Sequence, residues 1–328
     1  MKRAFRFRFN KGSYFQAKDQ RGEAYPTRWR SINTSRTFGT WESGNFGLVE
    51  SINNFLWNLV GVPAPSTHFI HFRVVDGLRE APRGRSGQYE GDFWGLTLAV
   101  EPYDSRFFTA HQLPKGNLYK LTDGVYDGKE QQRYQSATAV GAAEDYENVA
   151  SQNGLRPARP ESWLREHVDW DSWFRYSAVC QAVRHYDYGV KPRHGKSNPS
   201  AALKNAVWYF APQEGSRLGK LRILPYDSET SWGPVGGHRG WDLSAYAMVD
   251  PAEARDYEGG RRRKTALMIE WRNVIREFRD LVWTEESLFP VIDHFASVIA
   301  DFAPADRDRW KDHPLSRGHR SDFGFAQK

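Results

Sequence analysis

Three polar residues border two apolar segments in the second half of the chain, and together they could bind a divalent metal. Asp187 precedes the first segment, 206–210, and Asn205 leads directly into it. Asp227 follows the second segment, 221–225. Two short strands joined by a Gly-rich turn predict a β-hairpin, so polar side chains at its ends can converge on one small volume. Mg²⁺ takes carboxylate and amide oxygens and keeps positions open for phosphate oxygens, so the set favours hard-metal chemistry.

Each of these residues also has a purely structural explanation. Asp187 stands before Tyr-Gly and is typical of a turn, and Asn205 at a strand start has the same alternative. Asp227, before Ser-Glu-Thr, could cap a turn or a helix. Their order along the chain is what favours chemistry: an Asp, then an Asn, then a second Asp after a hairpin is the order of a protein kinase active site.

The elements around this set predict an α+β fold in two lobes. Helical spacing of apolar residues predicts a helix over 48–60, and strands are expected at 67–76 and 93–100. A polar stretch poor in aliphatic residues follows, and the rest is mainly helical around the single hairpin. The predicted division is an N-lobe at 1–121, a polar linker or insertion at 122–160, a C-lobe at 161–312 and a polar tail at 313–328.

Composition limits the classes of protein that fit. The chain has 328 residues, 39% of them hydrophobic, with 13 Trp, which is enough for an aromatic-rich core. Its one cysteine, Cys180, excludes an internal disulfide and a cysteine-based zinc site. No apolar run reaches the length of a membrane span, so none is expected. The net charge of +6 arises from 46 basic and 40 acidic residues spread along the chain, which disfavours nucleic acid as a partner.

Several further segments occur in a recognisable order. They are Asn45-Phe46-Gly47-Leu48, Gly61-Val62-Pro63-Ala64-Pro65, Phe93-Trp94-Gly95-Leu96, Gly116-Asn117-Leu118-Tyr119-Lys120, Asn205-Ala206-Val207-Trp208-Tyr209, Pro225-Tyr226-Asp227-Ser228-Glu229-Thr230-Ser231-Trp232-Gly233 and Ala305-Asp306-Arg307-Asp308-Arg309-Trp310. In this order they resemble the spore coat protein H (CotH) family of atypical protein kinases. The resemblance runs from about Phe9 to Trp310 and implies a kinase-like fold, with a strand-rich nucleotide-binding N-lobe and a mainly helical C-lobe.

The resemblance also implies roles for individual residues. Asp187 would orient or deprotonate the acceptor hydroxyl, and Mg²⁺ or Mn²⁺ would be held by Asn205, Asp227 and Glu229. Residues expected near the nucleotide, ATP, are Glu101, Lys120 and Lys11. The expected activity is phosphoryl transfer to a Ser, Thr or Tyr hydroxyl of a protein substrate.

Three departures from the family pattern keep alternatives open. Glu229 replaces the second Asp of the Asp-x-Asp segment, the interval between Asp187 and Asn205 is longer than a usual kinase catalytic loop, and the family's N-terminal Arg-Gly-x-x-Ser segment has no clear counterpart. The alternatives are nucleotidyl or small-molecule phosphotransfer on the same fold, or a non-catalytic binding protein. Localisation stays open: cytoplasmic if Met1 is the native start, secreted or surface-associated if the N-terminus is truncated.

Overall fold

The computed structural model describes residues 4–35, 46–75, 77–79, 92–120, 132–133, 144–145, 160–185, 205–229, 231–232 and 265–310. These residues form the predicted α+β fold, and the strands of both sheets pair antiparallel. The strands are β1 Arg6–Arg8, β2 Ser31–Thr34, β3 Thr67–Arg73, β4 Phe93–Val100, β5 Asn117–Lys120, β6 Gln132–Arg133, β7 Ala206–Ala211 and β8 Lys220–Pro225. The helices are α1 Leu48–Leu59, α2 Ser105–Ala110, α3 Glu161–His167, α4 Trp170–Ala182, α5 Thr265–Leu281, α6 Glu285–Ile299 and α7 Ala303–Trp310.

The first sheet has the strand order β1-β2-β4-β3. Its longest pairing joins β3 to β4, with Thr67 opposite Val100 and Phe69 opposite Leu98. The strand predicted at 93–100 is observed with those bounds, and the one predicted at 67–76 ends at Arg73. Glu101 is the residue that directly follows β4 of this sheet.

The second sheet has the strand order β6-β5-β7-β8 and contains the predicted hairpin. β7 and β8 pair from Ala206–Pro225 to Ala211–Lys220. β5 lies within the predicted 1–121 segment, but it pairs with β7, placing Tyr119 opposite Trp208. The second sheet is therefore assembled from both parts of the chain.

Helix α1 packs against both halves of the described structure. Leu48, Ile52 and Leu56 recur at helical spacing and are buried, which is why this segment forms a core-facing helix. It contacts α4 and α6, and Trp57 stacks on Tyr176 of α4 with ring centroids 5.4 Å apart. One continuous hydrophobic cluster joins α1, α4, the hairpin and the closing helices.

Helix α7, which the sequence pattern did not predict, attaches the C-terminal helices to the first sheet. Asp306 is fully buried, and its carboxylate accepts a hydrogen bond from the backbone N–H of Leu96 at 2.7 Å. The indole of Trp310 donates to the carbonyl of Trp94 at 2.9 Å. Within the described ranges no single helix has the length and apolar content of a membrane span, whereas α6 and α7 meet those criteria jointly across a 60° bend.

Candidate active site

The hairpin register brings three predicted site residues to one end of the second sheet. The last pair at this end is Ala206 with Pro225, so Asn205 and Asp227 lie just beyond it on neighbouring strands. β5 runs antiparallel to β7, and its last residue, Lys120, pairs with Val207 at the same end. Strand pairing alone therefore gathers an amide, a carboxylate and an ammonium group from distant parts of the sequence.

The backbone at this end of the sheet is unusual at two of the three metal-ligand candidates, Asn205 and Asp227. Asn205 has φ 56° and Asp227 has φ 57°, which is the left-handed region. Asn and Asp enter this region more readily than other non-glycine residues, because their short polar side chains can bond locally. Such conformations cost about 1–3 kcal/mol each and cluster at functional sites. Asn205 is buried, whereas Asp227 is exposed to solvent.

Lys120 lies against Tyr226, the residue before Asp227. Its Nζ donates a hydrogen bond to the Tyr226 hydroxyl at 2.6 Å and lies 4.0 Å from the centre of the ring. Burial raises the pKa of Tyr226 to about 12, and the negative charges of Asp227, Glu50 and Glu229 contribute. The cation predicted to approach phosphate is thus held next to residues 227–229, here called the acidic segment.

Glu229 completes an acidic group around the segment after β8. Burial raises the pKa of Glu229 well above its ordinary value, and the negative charges of Asp227 and of Glu50 on α1 raise it further. Its Oε2 is buried and has no hydrogen-bond partner among the described residues. Carboxylates crowded in this way repel each other unless one of them takes up a proton or a cation neutralises them.

The donor set fits a hard divalent cation. Two carboxylates and one amide oxygen, from Asp227, Glu229 and Asn205, are the oxygen donors that Mg²⁺ accepts. Among the described residues, no group of three or more His, Cys, Asp and Glu side chains is arranged to hold a metal. A metal here would therefore need, besides the two carboxylates, the amide oxygen of Asn205 and oxygens from outside the protein, such as those of phosphate.

Asn53 of α1 holds the segment that follows Asp227. Its side-chain amide donates to the carbonyl of Ser228 at 2.9 Å and to the hydroxyl of Ser231 at 2.8 Å. Its Oδ1 accepts from the indole of Trp232 at 2.7 Å. Asn53 is fully buried and uses both ends of its side chain, so it fixes the backbone between the two acidic residues and Trp232.

The chain that leads to Asp187 passes beside the same segment. The backbone N–H of Trp232 donates to the carbonyl of Val183, at the end of α4, at 2.6 Å. His185 follows and is buried, with its ring edge-on to Trp57 at 6.3 Å. Asp187 itself lies outside the described residues.

A family model described as CotH kinase protein matches residues 47–322. The chain belongs to the CotH kinase family. The match confirms the resemblance to this family and includes every predicted site residue except Lys11, while β1 and β2 precede it. A search of curated proteins gives no significant match. Membership indicates a kinase-like enzyme, and kinases in general use ATP with a divalent metal.

Two other candidates of this CotH-family chain, Glu101 and Lys11, follow strands of the first sheet. Glu101 is buried, accepts from the backbone N–H of Ser66 and contacts His111. Lys11 is exposed in the turn after β1.

Sequence reasoning missed Asn53 as a member of this CotH-family site. The available signal was a polar residue within the buried face of α1, beside Ile52 and close to Leu56. A buried Asn needs several hydrogen-bond partners, which the sequence pattern implies but does not identify.

Proposed function

We propose that this protein transfers the terminal phosphoryl group of ATP to a Ser, Thr or Tyr hydroxyl of a protein substrate, with Mg²⁺ or Mn²⁺. The observation that carries the proposal is the meeting of Asn205, Asp227 and Lys120 at one end of the hairpin sheet. Phosphoryl transfer needs positioning and charge neutralisation more than covalent help, and this set can provide both.

The metal ligands in this proposal are Asp227, Glu229 and Asn205. A bound Mg²⁺ or Mn²⁺ would neutralise charge on the phosphate oxygens of the nucleotide. Asn205 and Asp227 are held by the hairpin, and Asn53 fixes the backbone at Ser228, so the donors are preorganised. Glu229 is longer than the Asp of the family pattern and reaches the same region from two residues further along the chain.

Lys120 is proposed to contact phosphate. It is held by the Tyr226 hydroxyl, an uncharged partner, and within the described residues no ion pair joins it to a carboxylate. An anionic phosphate would compete well with a phenol for the ammonium group, because charge-assisted hydrogen bonds are stronger than neutral ones.

Asp187 is proposed to orient the acceptor hydroxyl and take its proton. His185, two positions earlier in the sequence, is buried. The hydrogen bond from the backbone N–H of Trp232 to the carbonyl of Val183 holds the end of α4 next to the residues that follow Glu229. We further propose a two-lobed arrangement in which the first sheet and α1 serve the nucleotide and the helices serve the protein substrate.

The experiment is incubation of the purified protein with ATP and Mg²⁺ or Mn²⁺, followed by intact mass measurement of the protein and of an added protein substrate. Asp187→Asn and Asp227→Asn are compared with Asp293→Asn, which changes an exposed Asp of α6. Phosphate adducts are expected with the wild type and the control and should vanish in both site variants.

Other results would reject the proposal. Adducts of nucleotide mass would assign nucleotidyl transfer instead. Absence of both adducts, together with no metal-dependent rise in melting temperature on adding ATP, would favour a non-catalytic binding protein.

A further inference from the structure

A cavity of about 300 Å³ lies beside α1, between the N-terminal segment, the start of β3 and helix α2. Its lining combines the carboxyl groups of Asp19 and Glu101 and the imidazole of His111 with the rings of Phe55 and Phe295. A few polar groups set in an apolar wall are typical of small-molecule sites, and this volume lies at the lower end of their range.

Glu101 is the buried polar group of this cavity. Only 2% of the residue is exposed. Its Oε2 accepts from the backbone N–H of Ser66 at 3.1 Å and lies 3.2 Å from Nε2 of His111. Its Oε1 is buried without a hydrogen-bond partner in the described structure. Buried carboxylate oxygens are nearly always bonded, so a missing donor is expected here.

The electrostatic field of the cavity favours a cation. Asp19 adds a second carboxylate, fixed by the backbone N–H groups of Arg21 and Glu23, both at 2.9 Å. Burial raises the pKa of Tyr25, and the charges of Asp19 and Glu101 raise it further. None of the described residues that line the cavity is Lys or Arg. A phosphate group would therefore be repelled.

The cavity lies on a different face of α1 from the acidic segment. Ser51 and Phe55 line the cavity, whereas Asn53 bonds to Ser228. Successive helix residues are about 100° apart, so these side chains point in different directions. The described lining of the cavity therefore shares no residue with the proposed metal ligands or with Lys120.

We propose that this cavity is a second binding site that takes a small organic cation. An ammonium group would donate to the Glu101 carboxylate, and an apolar body would pack against Phe55 and Phe295. The ligand would be a small molecule that carries a primary ammonium group on a compact aromatic or aliphatic body. This inference goes beyond the proposed kinase activity and does not depend on it.

The test is isothermal titration calorimetry with phenethylammonium chloride, compared with the neutral analogue 2-phenylethanol. Glu101→Gln keeps the shape of the side chain and an oxygen that can accept from Ser66, and it removes the charge. Ala110→Phe fills the cavity without changing Glu101, because Ala110 also lines it. Glu277→Gln, at an exposed position of α5, is the matched control.

Saturable binding of the ammonium is expected for the wild type and for Glu277→Gln. The neutral analogue and both cavity variants should bind at least tenfold more weakly, with folding checked by circular dichroism. No binding of the ammonium, equal affinity for the alcohol, or undiminished affinity in the cavity variants would each overturn the proposal. If Glu101→Gln does not fold, Ala110→Phe alone decides the outcome. ATP binding is measured separately, so a negative result in the kinase experiment would not change the conclusion about ammonium binding.

Discussion

The side-chain amide of Asn53 donates a 2.9 Å hydrogen bond to the carbonyl of Ser228, 175 positions later in the chain. This bond ties helix α1 to the backbone between Asp227 and Glu229. A helix of the first half therefore controls the geometry of an acidic segment of the second half.

Replacing Asn53 by Ala should destabilise the protein by about 2–4 kcal/mol, because Trp232 and the Ser228 carbonyl lose buried partners. Metal-dependent ATP binding should weaken beyond this loss of stability, since the acidic segment is no longer fixed. Thermal unfolding with and without ATP and Mn²⁺ measures both effects. Asn273→Ala, at an exposed position of α5, should change stability by no more than about 0.5 kcal/mol. The positioning role would be contradicted if the folded Asn53 variant bound ATP with the same affinity as the wild type.

Replacing Glu229 by Gln should stabilise the metal-free protein while weakening its metal binding. The substitution removes a carboxyl group that is crowded by Asp227 and Glu50, and relief of this kind contributes about 1 kcal/mol. It also removes a proposed metal ligand, so Mn²⁺ affinity should fall at least tenfold. Unfolding in a chelator and Mn²⁺ titration by electron paramagnetic resonance are the measurements. Glu277→Gln is the control, and unchanged Mn²⁺ affinity in Glu229→Gln would exclude Glu229 as a ligand.

Lys120 and Tyr226 can be separated by a pair of substitutions. Lys120→Met keeps the apolar stem and removes the charge, so ATP affinity should fall about tenfold if the ammonium group contacts phosphate. Tyr226→Phe removes the hydroxyl that accepts from Lys120 but keeps the ring beneath it. ATP affinity should be retained or increased in Tyr226→Phe, as measured by calorimetry with Mg²⁺. An equal loss of ATP affinity in both variants would show that the Lys120–Tyr226 pair stabilises the fold and does not contact the nucleotide.

Gly116, just before β5, is required for close approach of two strands. A Cβ at this position would lie 2.1 Å from the carbonyl oxygen of Phe210. Gly116→Ala should therefore lower the free energy of unfolding by about 3 kcal/mol or more and disturb the strand that carries Lys120. Gly215, in the hairpin turn, has φ 71° and open space around it, so Gly215→Asn should be nearly neutral. Chemical denaturation of both variants tests this contrast, and similar losses in the two would refute it.

Cys180 is expected to be unreactive in the folded protein. Burial raises the pKa of its thiol well above the ordinary value, so the thiol stays protonated at neutral and mildly alkaline pH. Only the thiolate reacts with disulfide reagents. Titration with Ellman's reagent should give almost no reaction in native buffer and one thiol per chain in guanidinium chloride. Rapid reaction in native buffer would show that this part of α4 opens readily.

Local patterns in the sequence determined the main elements. The helix expected at 48–60 is observed at Leu48–Leu59, and the strand at 93–100 has those bounds. The hairpin was also predicted, because two runs of β-branched and aromatic residues joined by a Gly-rich turn are typical of paired antiparallel strands. From the hairpin alone it followed that Asn205 and Asp227 would lie at one end. The order of the motifs also identified the family before any contact was known.

Only the tertiary structure decided which distant residues meet. The pairing of β5 with β7 placed Lys120 beside Tyr226, and α1 brought Asn53 onto Ser228. Glu101, expected near the nucleotide from the family resemblance, lines a cavity with His111. Periodicity and turn chemistry act over a few residues and can be read locally. Contacts between elements depend on which buried surfaces pack together, and a single sequence does not specify those partners.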